Sequence, residues 1–464
     1  MPLPRAVRNR LAELSRLRGV IQVLVRHGFG SLVEQLGVGS RPTDPAEGRS
    51  RLGRRLALVL TDLGPTFVKL GQVLATRDDV FPPEITTELA TLQQDVRPVP
   101  TPRIRDEVAR GLGSPIAAHF AWFDPAPLAA ASIAQVHRAT TLDGRDVVCK
   151  VRRPGVERQV EDDLALLGSL AELLDQRVDE VRRYDPRGLF AEFADGLRRE
   201  LDFRQEAAAL AQIREVVGDT AIVPDPLPEL SSERVLTMTY VPGTRLSAVS
   251  DPELRASLAR QLLRTFVRQI LRAGVFHADP HPGNLMVADG RLVLLDFGAV
   301  GTFSTQMREE LVGVATAAAE RDGHQLARAM RPLIAPPGPS DIEAYEAQVG
   351  TFLHDLLAQD LGAVRLRDLS EQVWQLSRDH ALRLRPGYLQ LLRTVATLDG
   401  VIESLDPGLD PVRAAQAYVL GETVAVRAET AVQTVRASLP QIARLALAGS
   451  AIAAGVAGLV WWLL

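Results

Sequence analysis

A chain of 464 residues, 46% hydrophobic and 24% charged, has the composition of a globular protein and is long enough for two compact parts with appendages. This composition excludes disorder as the state of the whole chain. The single cysteine excludes a disulfide framework and a cysteine-rich metal site, and it favours a reducing compartment. The net charge of −4 is near neutral, and no nucleic-acid partner is expected.

Residues 1–50 are predicted to form a basic amphipathic region. The first sixty residues carry eleven arginines against four acidic residues, and apolar residues recur at helical spacing over residues 10–36. This charge suits anionic lipid headgroups, while a solvated arm is an equal alternative. Glu13, Arg16 and Arg18 interrupt the apolar stretch, so a cleaved secretory signal is not expected.

Residues 51–115 are predicted to form a helical extension, because apolar residues repeat at intervals of three and four. The pair Gly64-Pro65 is expected to end one helix and begin the next. On the second helix Lys69 and Gln72 lie three residues apart and therefore share a polar face.

The scarcity of lysine makes two positions conspicuous. Of 53 basic residues, only Lys69 and Lys150 are lysines. A chain this rich in arginine is expected to keep lysine where a compact ammonium is required and a planar guanidinium cannot replace it. Survival of two lysines by chance is an equal alternative on composition alone.

Residues 116–242 are predicted to contain most strands, and residues 243–435 to be mostly helical. A turn at Asp143-Gly144 separates two strand-like runs, which indicates a hairpin whose second strand ends near Lys150. Residues 235–240 form a further short strand-like run.

Residues 445–464 are predicted to form a transmembrane helix. The segment has no charged residue and is long enough, at twenty residues, to cross the hydrocarbon core of a bilayer. A buried soluble helix is the alternative. Arg427, Arg436 and Arg444 precede it, so the positive-inside tendency places the body of the protein on the cytoplasmic side of the cell (inner) membrane.

The strongest functional pattern begins at Asp279 and Asn284, which are spaced as Asp-x-x-x-x-Asn. Asp296-Phe297-Gly298 follows after an apolar strand-like run. Phosphoryl transfer from ATP needs a carboxylate near the acceptor and oxygen ligands that hold Mg²⁺ against the phosphates. The order and spacing match the catalytic loop and metal-binding Asp-Phe-Gly of kinases. The pattern predicts Asp279 as the catalytic carboxylate and Asn284 and Asp296 as Mg²⁺ ligands.

A kinase also needs a strand lysine and a carboxylate that holds it. Lys150 ends a run similar to the kinase Val-Ala-Ile-Lys, and Glu206 on a following helical segment is its expected partner, with Asp202 four residues earlier. The phosphate-covering loop, normally rich in glycine, is here Ala129, Ala130, Ala131 and Ser132. Methyl groups disfavour left-handed backbone angles, so this loop is expected to contact phosphates differently. Solvated helix carboxylates and plain strand packing are the alternatives for these segments taken singly.

Taken together, these segments resemble the UbiB/ADCK family of AarF-like atypical kinases. The resemblance rests on four elements: Lys69-Leu70-Gly71-Gln72, the alanine-rich loop, Glu200-Leu201-Asp202, and the stretch from His277 to Asn284. It implies an α+β, bilobal kinase-like fold with an N-terminal helical extension over the active site. It further implies that Lys69 and Gln72 engage Glu200 and Asp202 in a regulatory role, while Lys150 pairs with Glu206.

The family resemblance implies a membrane-associated atypical kinase or ATPase that binds ATP and Mg²⁺ and supports biosynthesis of ubiquinone or related isoprenoid lipids. Membrane lipid, a quinone precursor and quinone-biosynthesis proteins are the expected partners. Two alternatives remain open. One is a pseudokinase scaffold in which nucleotide switches lipid or partner binding. The other is a protein kinase, although no Ala-Pro-Glu follows Asp296-Phe297-Gly298 closely.

Overall fold

The computed structural model describes most of the chain between residues 45 and 424, together with a few residues before it. The described residues are 19–20, 22–23, 26–27, 45–75, 82–92, 97–177, 182, 185–320, 322–334, 342–358, 384–422 and 424. They divide into two compact units. Unit 1 takes the chain as far as Val249 together with His277–Val300, and unit 2 takes Ser250–Phe276 with the chain from Gly301 onward.

Unit 1 contains a set of helices that precede and follow its first three strands in the chain. Its helices are α1 (Pro45–Leu63), α2 (Pro65–Leu74), α3 (Pro83–Leu89), α4 (Thr101–Leu112), α5 (Val156–Arg177), α6 (Pro186–Glu200) and α7 (Phe203–Val217). Buried side chains of α1, α2, α5 and α6 form one core, in which Phe67, Leu164 and Phe193 take part. The predicted helix break is confirmed, since Gly64 has φ 102° and Pro65 begins α2.

Glycine permits close packing of α2 within this set of helices. A Cβ atom at Gly71 would collide with the side chains of Leu60 and Leu92. The side chains of Leu60 and Leu92 therefore pack directly against the backbone of Gly71.

An antiparallel sheet in the order β1-β2-β3-β4 follows in unit 1. The strands are β1 (Phe120–Ala130), β2 (Ala134–Thr141), β3 (Asp146–Arg152) and β4 (Val235–Thr239). The predicted hairpin is confirmed: β2 and β3 pair in register, with His137 opposite Cys149, and Gly144 in their turn has φ 86°. Side chains of β1, β3 and α4 share a core that includes Ile104, Phe123 and Val147.

A second antiparallel sheet in unit 1 has the order β5-β7-β8. Its strands are β5 (Thr244–Arg245), β7 (Leu285–Ala288) and β8 (Arg291–Leu294). The turn between β7 and β8 consists of Asp289 and Gly290, both with positive φ, which is the backbone that a two-residue hairpin requires. Strands β6 (Val275–His277) and β9 (Val300–Thr302) complete the strands of the described chain.

Unit 2 is mainly helical in its described part. Its α-helices are α8 (Pro252–Arg268), α9 (Thr305–Ala319), α10 (Gly323–Met330), α11 (Ile342–Ala358) and α12 (Pro386–Leu405), and a π-helical turn (Gln269–Ala273) continues α8. The buried side chains of Leu326, Tyr345 and Val349 join α10 to α11. The described residues after Thr305 are thus mainly helical.

Two expectations fall largely outside the described residues. The amphipathic helix over residues 10–36 is described at only a few positions, and the transmembrane helix at 445–464 is not described at all. Across the part of the chain that the structure does describe, no helix is both long and apolar enough to span a bilayer. The transmembrane helix stays a prediction.

Candidate functional site

Lys150 lies at the centre of a buried ion-pair cluster in unit 1. Lys150 is a buried residue of strand β3, and Glu206 is a buried residue of helix α7. Lys150 Nζ donates to Glu206 Oε1 and Oε2 at 2.8 and 2.9 Å. The two side chains are only 9% and 5% exposed. The structure thus brings together the strand lysine and helix carboxylate that the sequence pairs.

Asp296 is a second carboxylate on the same ammonium. Its Oδ1 accepts from Lys150 Nζ at 2.7 Å and from the backbone N–H of Gly298 at 3.1 Å. Asp296 follows β8 with φ 53°, an angle that aspartate tolerates better than most residues. Roughly half of its side chain is exposed, so the carboxylate contacts both Lys150 and solvent.

Charge pairing sets the titration of this cluster. Burial alone would lower the pKa of Lys150, but Asp296 and Glu206 raise it above its usual value, so Lys150 stays charged. Burial alone would raise the pKa of Asp296, but Lys150 and the Gly298 N–H hold it well below its usual range. Burial raises the pKa of Glu206, and Lys150 opposes that shift. Asp296 is therefore the ionised group that a metal ion could meet.

The predicted catalytic loop is organised around His277. The backbone N–H of Asp279 donates to His277 Nδ1 at 3.1 Å, and His277 Nε2 contacts the Leu295 carbonyl at 2.8 Å. Because Nδ1 accepts, the proton is on Nε2. Burial lowers the pKa of His277, which keeps this neutral tautomer. The imidazole thereby links the start of the loop to the segment before Asp296.

Asp279 and Asn284 occupy the two ends of this loop. Asn284 Nδ2 donates to the Asp279 carbonyl at 3.0 Å, and the Asn284 carbonyl accepts from the Leu295 N–H at 2.9 Å. The Asp279 carboxylate is about half exposed and lies 3.7 Å from His281 Nε2. The loop backbone is thus fixed, while the Asp279 carboxylate faces solvent.

Lys69 brings a second ammonium to the same carboxylates. Its Nζ lies 2.6 Å from Glu200 Oε1, and both side chains are less than one quarter exposed. Burial alone would lower the pKa of Lys69, but Glu200, and then Asp279 and Asp296, raise it. Both lysines of the chain therefore lie in one acidic cluster.

Asp202, which the family resemblance pairs with Lys69 and Gln72, is placed differently. Asp202 caps helix α7 by accepting from the Arg204 N–H at 3.1 Å, and its carboxylate also binds the Arg204 guanidinium, with the shorter contact at 2.7 Å. The structure does not bring it to Lys69. Gln72 Nε2 donates to the Leu92 carbonyl at 3.2 Å, which ties α2 to the end of the α3 segment.

The alanine-rich loop forms the turn between β1 and β2. The N–H of Ala131 donates to the Ala134 carbonyl at 2.9 Å, and Ser132 is buried. No residue from Ala129 to Ile133 has a positive φ. The loop therefore takes none of the left-handed angles that glycine would allow, as expected from its methyl groups.

Arginines that follow Lys150 were not recognised from the sequence. Arg153 donates from Nε to the Ala131 carbonyl at 2.7 Å and from its backbone N–H to the Ile133 carbonyl at 2.9 Å, so it fixes the alanine-rich loop. Arg152 Nη1 donates to the Leu201 carbonyl at 2.9 Å. The available signal was their position two and three residues after a strand lysine. In a chain so rich in arginine, that signal was not distinctive.

The residues present fit a magnesium nucleotide. Within the described residues, no three His, Cys, Asp or Glu side chains could hold a metal by themselves. A kinase-type site does not need them, because one Asp, one Asn and phosphate oxygens supply hard oxygen ligands. A Cβ atom at Gly298 would lie 3.1 Å from Asp296 Oδ1 and 3.8 Å from Lys150 Nζ, so glycine keeps the approach to both groups open.

The chain is similar to known proteins over a span that includes these residues. Residues 91–330 match the family described as the ABC1 atypical kinase-like domain, a span that includes Lys150, Glu206, Asp279 and Asp296. A protein of Xylella fastidiosa (strain M23) named "Probable protein kinase UbiB" is 35% identical over 77% of this chain and 67% of its own length. A protein of Aliivibrio fischeri (strain ATCC 700601 / ES114) with the same name is 30% identical over 86% of this chain and 77% of its own length.

One solved structure shows the same fold. The Rv3197 protein of Mycobacterium tuberculosis, determined in complex with erythromycin, superposes with a TM-score of 0.50 at 23% identity. The match covers 78% of this chain and 97% of that one. At this identity the likeness concerns the fold alone.

Proposed function

Because this chain belongs to the ABC1 (UbiB/ADCK, AarF-like) family of atypical kinases, we propose that it binds Mg-ATP and acts as an atypical kinase or ATPase at the membrane. The proposal includes support of ubiquinone or related isoprenoid-lipid biosynthesis. The observation that carries it is the bridge from Lys150 Nζ to both Glu206 and Asp296. The Lys150–Glu206 part of that bridge is the lysine–glutamate pair that kinases require, and Asp296 is at the position of the aspartate that holds Mg²⁺ in kinases.

Lys150 is the phosphate-binding cation in this proposal. Glu206 accepts two of the three hydrogen bonds that the ammonium can donate, and Asp296 accepts the third, so a phosphate oxygen would replace Asp296 on Nζ. The Phe203 ring lies 5.6 Å from Nζ and closes the site on one side. The ammonium is therefore oriented by α7 before ATP binds.

Asp296 and Asn284 would hold Mg²⁺, which supplies charge neutralisation on the phosphates. Asp279 acts as base or orients a water molecule, because its carboxylate is exposed on a loop whose backbone His277 and Asn284 fix. The fixed backbone and free carboxylate suit a group that must accept a proton from a positioned hydroxyl or water.

Helix α2 is proposed to gate this site. Lys69 presents a cation to Glu200, Asp279 and Asp296, the charges that Mg²⁺ would otherwise neutralise. Nucleotide entry with its metal then requires Lys69 to give up part of this contact. The same observation favours a second candidate function, a scaffold in which nucleotide moves α2 and thereby controls lipid or partner binding without turnover.

Membrane association and lipid partners are proposed from the sequence and the family. The uncharged segment 445–464 would anchor the chain in the cell (inner) membrane with its body on the cytoplasmic side. A quinone precursor, membrane lipid and quinone-biosynthesis proteins are the proposed partners. The phosphate acceptor is water in the ATPase form of the proposal and a small molecule in its kinase form.

The proposed function is tested by Mg²⁺-dependent ATP hydrolysis with the full chain in detergent or anionic vesicles, with and without a phenolic quinone precursor. Asp296→Asn is compared with Asp289→Asn, which makes the same change at another aspartate of positive φ, in the β7–β8 turn. We expect Asp296→Asn to lose hydrolysis and Asp289→Asn to keep it. If the wild type binds nucleotide tightly but hydrolyses none under any condition, the enzyme proposal fails and the scaffold proposal takes its place.

A further inference from the structure

The region where α6 ends and α7 begins carries one acidic partner of each lysine. Glu200 is the last residue of α6 and binds Lys69, whereas Glu206 lies in the first turn of α7 and binds Lys150. Only five residues separate the two carboxylates. We call Glu200–Glu206 the elbow. Any shift of the elbow moves both ion pairs at once.

Arg152 holds the middle of the elbow. It lies two residues after Lys150 on β3, so both side chains point to the same face of the sheet. Arg152 Nη1 donates to the Leu201 carbonyl at 2.9 Å, and the Arg152 side chain is only 4% exposed. The Leu201 carbonyl lies between Glu200 and the residue that caps α7. One strand face therefore holds α7 through Lys150 and the elbow through Arg152.

The other terminal nitrogen of the Arg152 guanidinium, Nη2, binds a residue outside the elbow. Arg152 Nη2 donates to Glu157 Oε2 at 2.7 Å, and Glu157 also accepts from Arg234 Nη2 at 3.3 Å. The backbone of the same region adds a further restraint, since the Phe203 N–H donates to the Glu233 carbonyl at 3.2 Å. A buried guanidinium with both ends engaged is a rigid spacer between β3 and the elbow.

We propose that Arg152 is a positioning residue of the nucleotide site, which couples the Lys69–Glu200 pair to the Lys150–Glu206 pair by fixing the elbow at Leu201. The inference rests on the proposed function, because it assigns Arg152 a role in nucleotide binding. Arg152 acts through Glu200 and Glu206 and touches neither nucleotide nor metal.

The first test compares Arg152→Gln with Arg198→Gln. Arg198 makes a two-bonded ion pair with Glu161 between α6 and α5, outside the elbow, so its loss controls for removal of an arginine that is bound to a glutamate near the elbow. We expect Mg-ATP binding by the full chain to weaken about tenfold in Arg152→Gln and less than twofold in Arg198→Gln. Equal effects of the two substitutions would overturn the proposal.

Arg152→Lys keeps the positive charge, and it serves as a second variant in case Arg152→Gln does not fold. An ammonium can reach the Leu201 carbonyl or Glu157 but lacks the fork that holds both. We expect an affinity between those of wild type and Arg152→Gln. An Arg152→Lys protein that is folded, by circular dichroism, and binds Mg-ATP as the wild type does shows that the bridge is not needed, and the proposal fails.

A double-mutant cycle separates positioning from general stability. If Arg152 acts through the elbow, the effects of Arg152→Gln and Lys69→Ala on Mg-ATP affinity will not multiply, because both change the position of Glu200. If they multiply, Arg152 does not couple the two pairs and the proposal is overturned.

Hydrogen exchange gives a readout that does not depend on nucleotide. In Arg152→Gln without nucleotide, amides of residues 200–206 and 65–74 should exchange faster than in wild type, whereas Arg198→Gln should leave both segments unchanged. Unchanged exchange in Arg152→Gln overturns the positioning role. If exchange rises as expected but the wild type binds no Mg-ATP, the proposed function fails while the elbow contact stands.

Discussion

The ammonium of Lys69 lies 2.6 Å from the carboxylate of Glu200, and Asp279 and Asp296 act electrostatically on the same ammonium. Helix α2 thus supplies a cation to carboxylates that the proposed reaction needs for Mg²⁺ and for the acceptor. A metal ion and Lys69 compete for the same negative charge.

Lys69→Ala should therefore tighten Mg-nucleotide binding about tenfold, which corresponds to about 1.4 kcal/mol for the loss of one competing, partly exposed cation. Titration with a fluorescent ADP analogue at fixed Mg²⁺ measures the change. Arg54→Ala is the control, because it removes an exposed ion pair with Glu88 from the same set of helices. Unchanged or weaker binding by Lys69→Ala would falsify the competition.

Loss of Lys150 should destabilise the protein as well as its nucleotide site. Lys150→Met leaves the buried carboxylate of Glu206, 5% exposed, without its cation, which costs about 3 kcal/mol of folding free energy. Asp296 is half exposed and contributes little to this loss. Urea unfolding without nucleotide measures it.

The matched variant for this prediction is Lys150→Met with Glu206→Leu, which removes both buried charges. We expect it to recover most of the unfolding free energy, since a buried ion pair replaced by apolar groups is close to neutral. Neither variant should bind Mg-ATP as the wild type does. If the double variant is as unstable as Lys150→Met, the cost lies in packing around β3 and not in the unpaired charge.

Part of this site could be predicted from the sequence, because some of its residues lie in short motifs or in clear hydrophobic patterns. Lys150 closes an apolar strand-like run of the sequence, and a buried strand lysine requires a carboxylate, which an amphipathic helix supplies at Glu206. The direct contact of Lys150 with Asp296 could not be derived in this way. It spans 146 residues and depends on the left-handed turn at Asp296 after β8.

The placement of Asp202 shows why the regulatory cluster was harder to predict. The sequence places Asp202 near Glu206 at helical spacing, but the residue is the N-cap of α7 and its carboxylate binds Arg204. A local cap forms with little loss of chain entropy, so it prevails over a contact with a distant lysine. Arg152 was not recognised for the opposite reason, since its partner is a backbone carbonyl, which no residue pattern reveals.

Close packing between α10 and α11 in unit 2 should make Gly323 sensitive to substitution. A Cβ atom there would collide with the backbone N–H of His354 and the carbonyl of Gly350. Gly323→Ala is expected to lower the melting temperature by several degrees, which corresponds to about 1–3 kcal/mol of overpacking.

Gly313 in α9 is the matched control for this change. Nothing lies within 4 Å of a Cβ atom added there. Gly313→Ala should therefore raise stability by up to about 1 kcal/mol through helix propensity. Differential scanning calorimetry of the two variants checks both signs, and a stabilised Gly323→Ala would contradict the close crossing of α10 and α11.

Two buried histidines should make folding stability depend on pH near neutrality. Burial lowers the pKa of both His137 and His277 below the 6.5 of an exposed imidazole, so the unfolded chain binds protons that the folded chain does not. The histidine contribution to stability therefore rises with pH through the window between the folded pKa and 6.5. Glu206, whose pKa burial raises to about 7, contributes in the opposite direction over part of this window.

Urea midpoints at pH 7.5 and 5.5 measure the net change, to which each histidine that stays neutral contributes a loss of up to about 1.4 kcal/mol per pH unit. The difference between wild type and His277→Gln isolates the part due to His277, because Glu206 is common to both. His277→Gln should reduce the difference between the two pH values, because glutamine does not titrate. Asp296 cannot account for the same window: its pKa is lowered from 3.8, so its contribution is present above that value and is lost only in stronger acid. A His277→Gln variant with the pH dependence of the wild type would show that the imidazole is not held neutral, and the tautomer assigned from the Asp279 N–H would then be wrong.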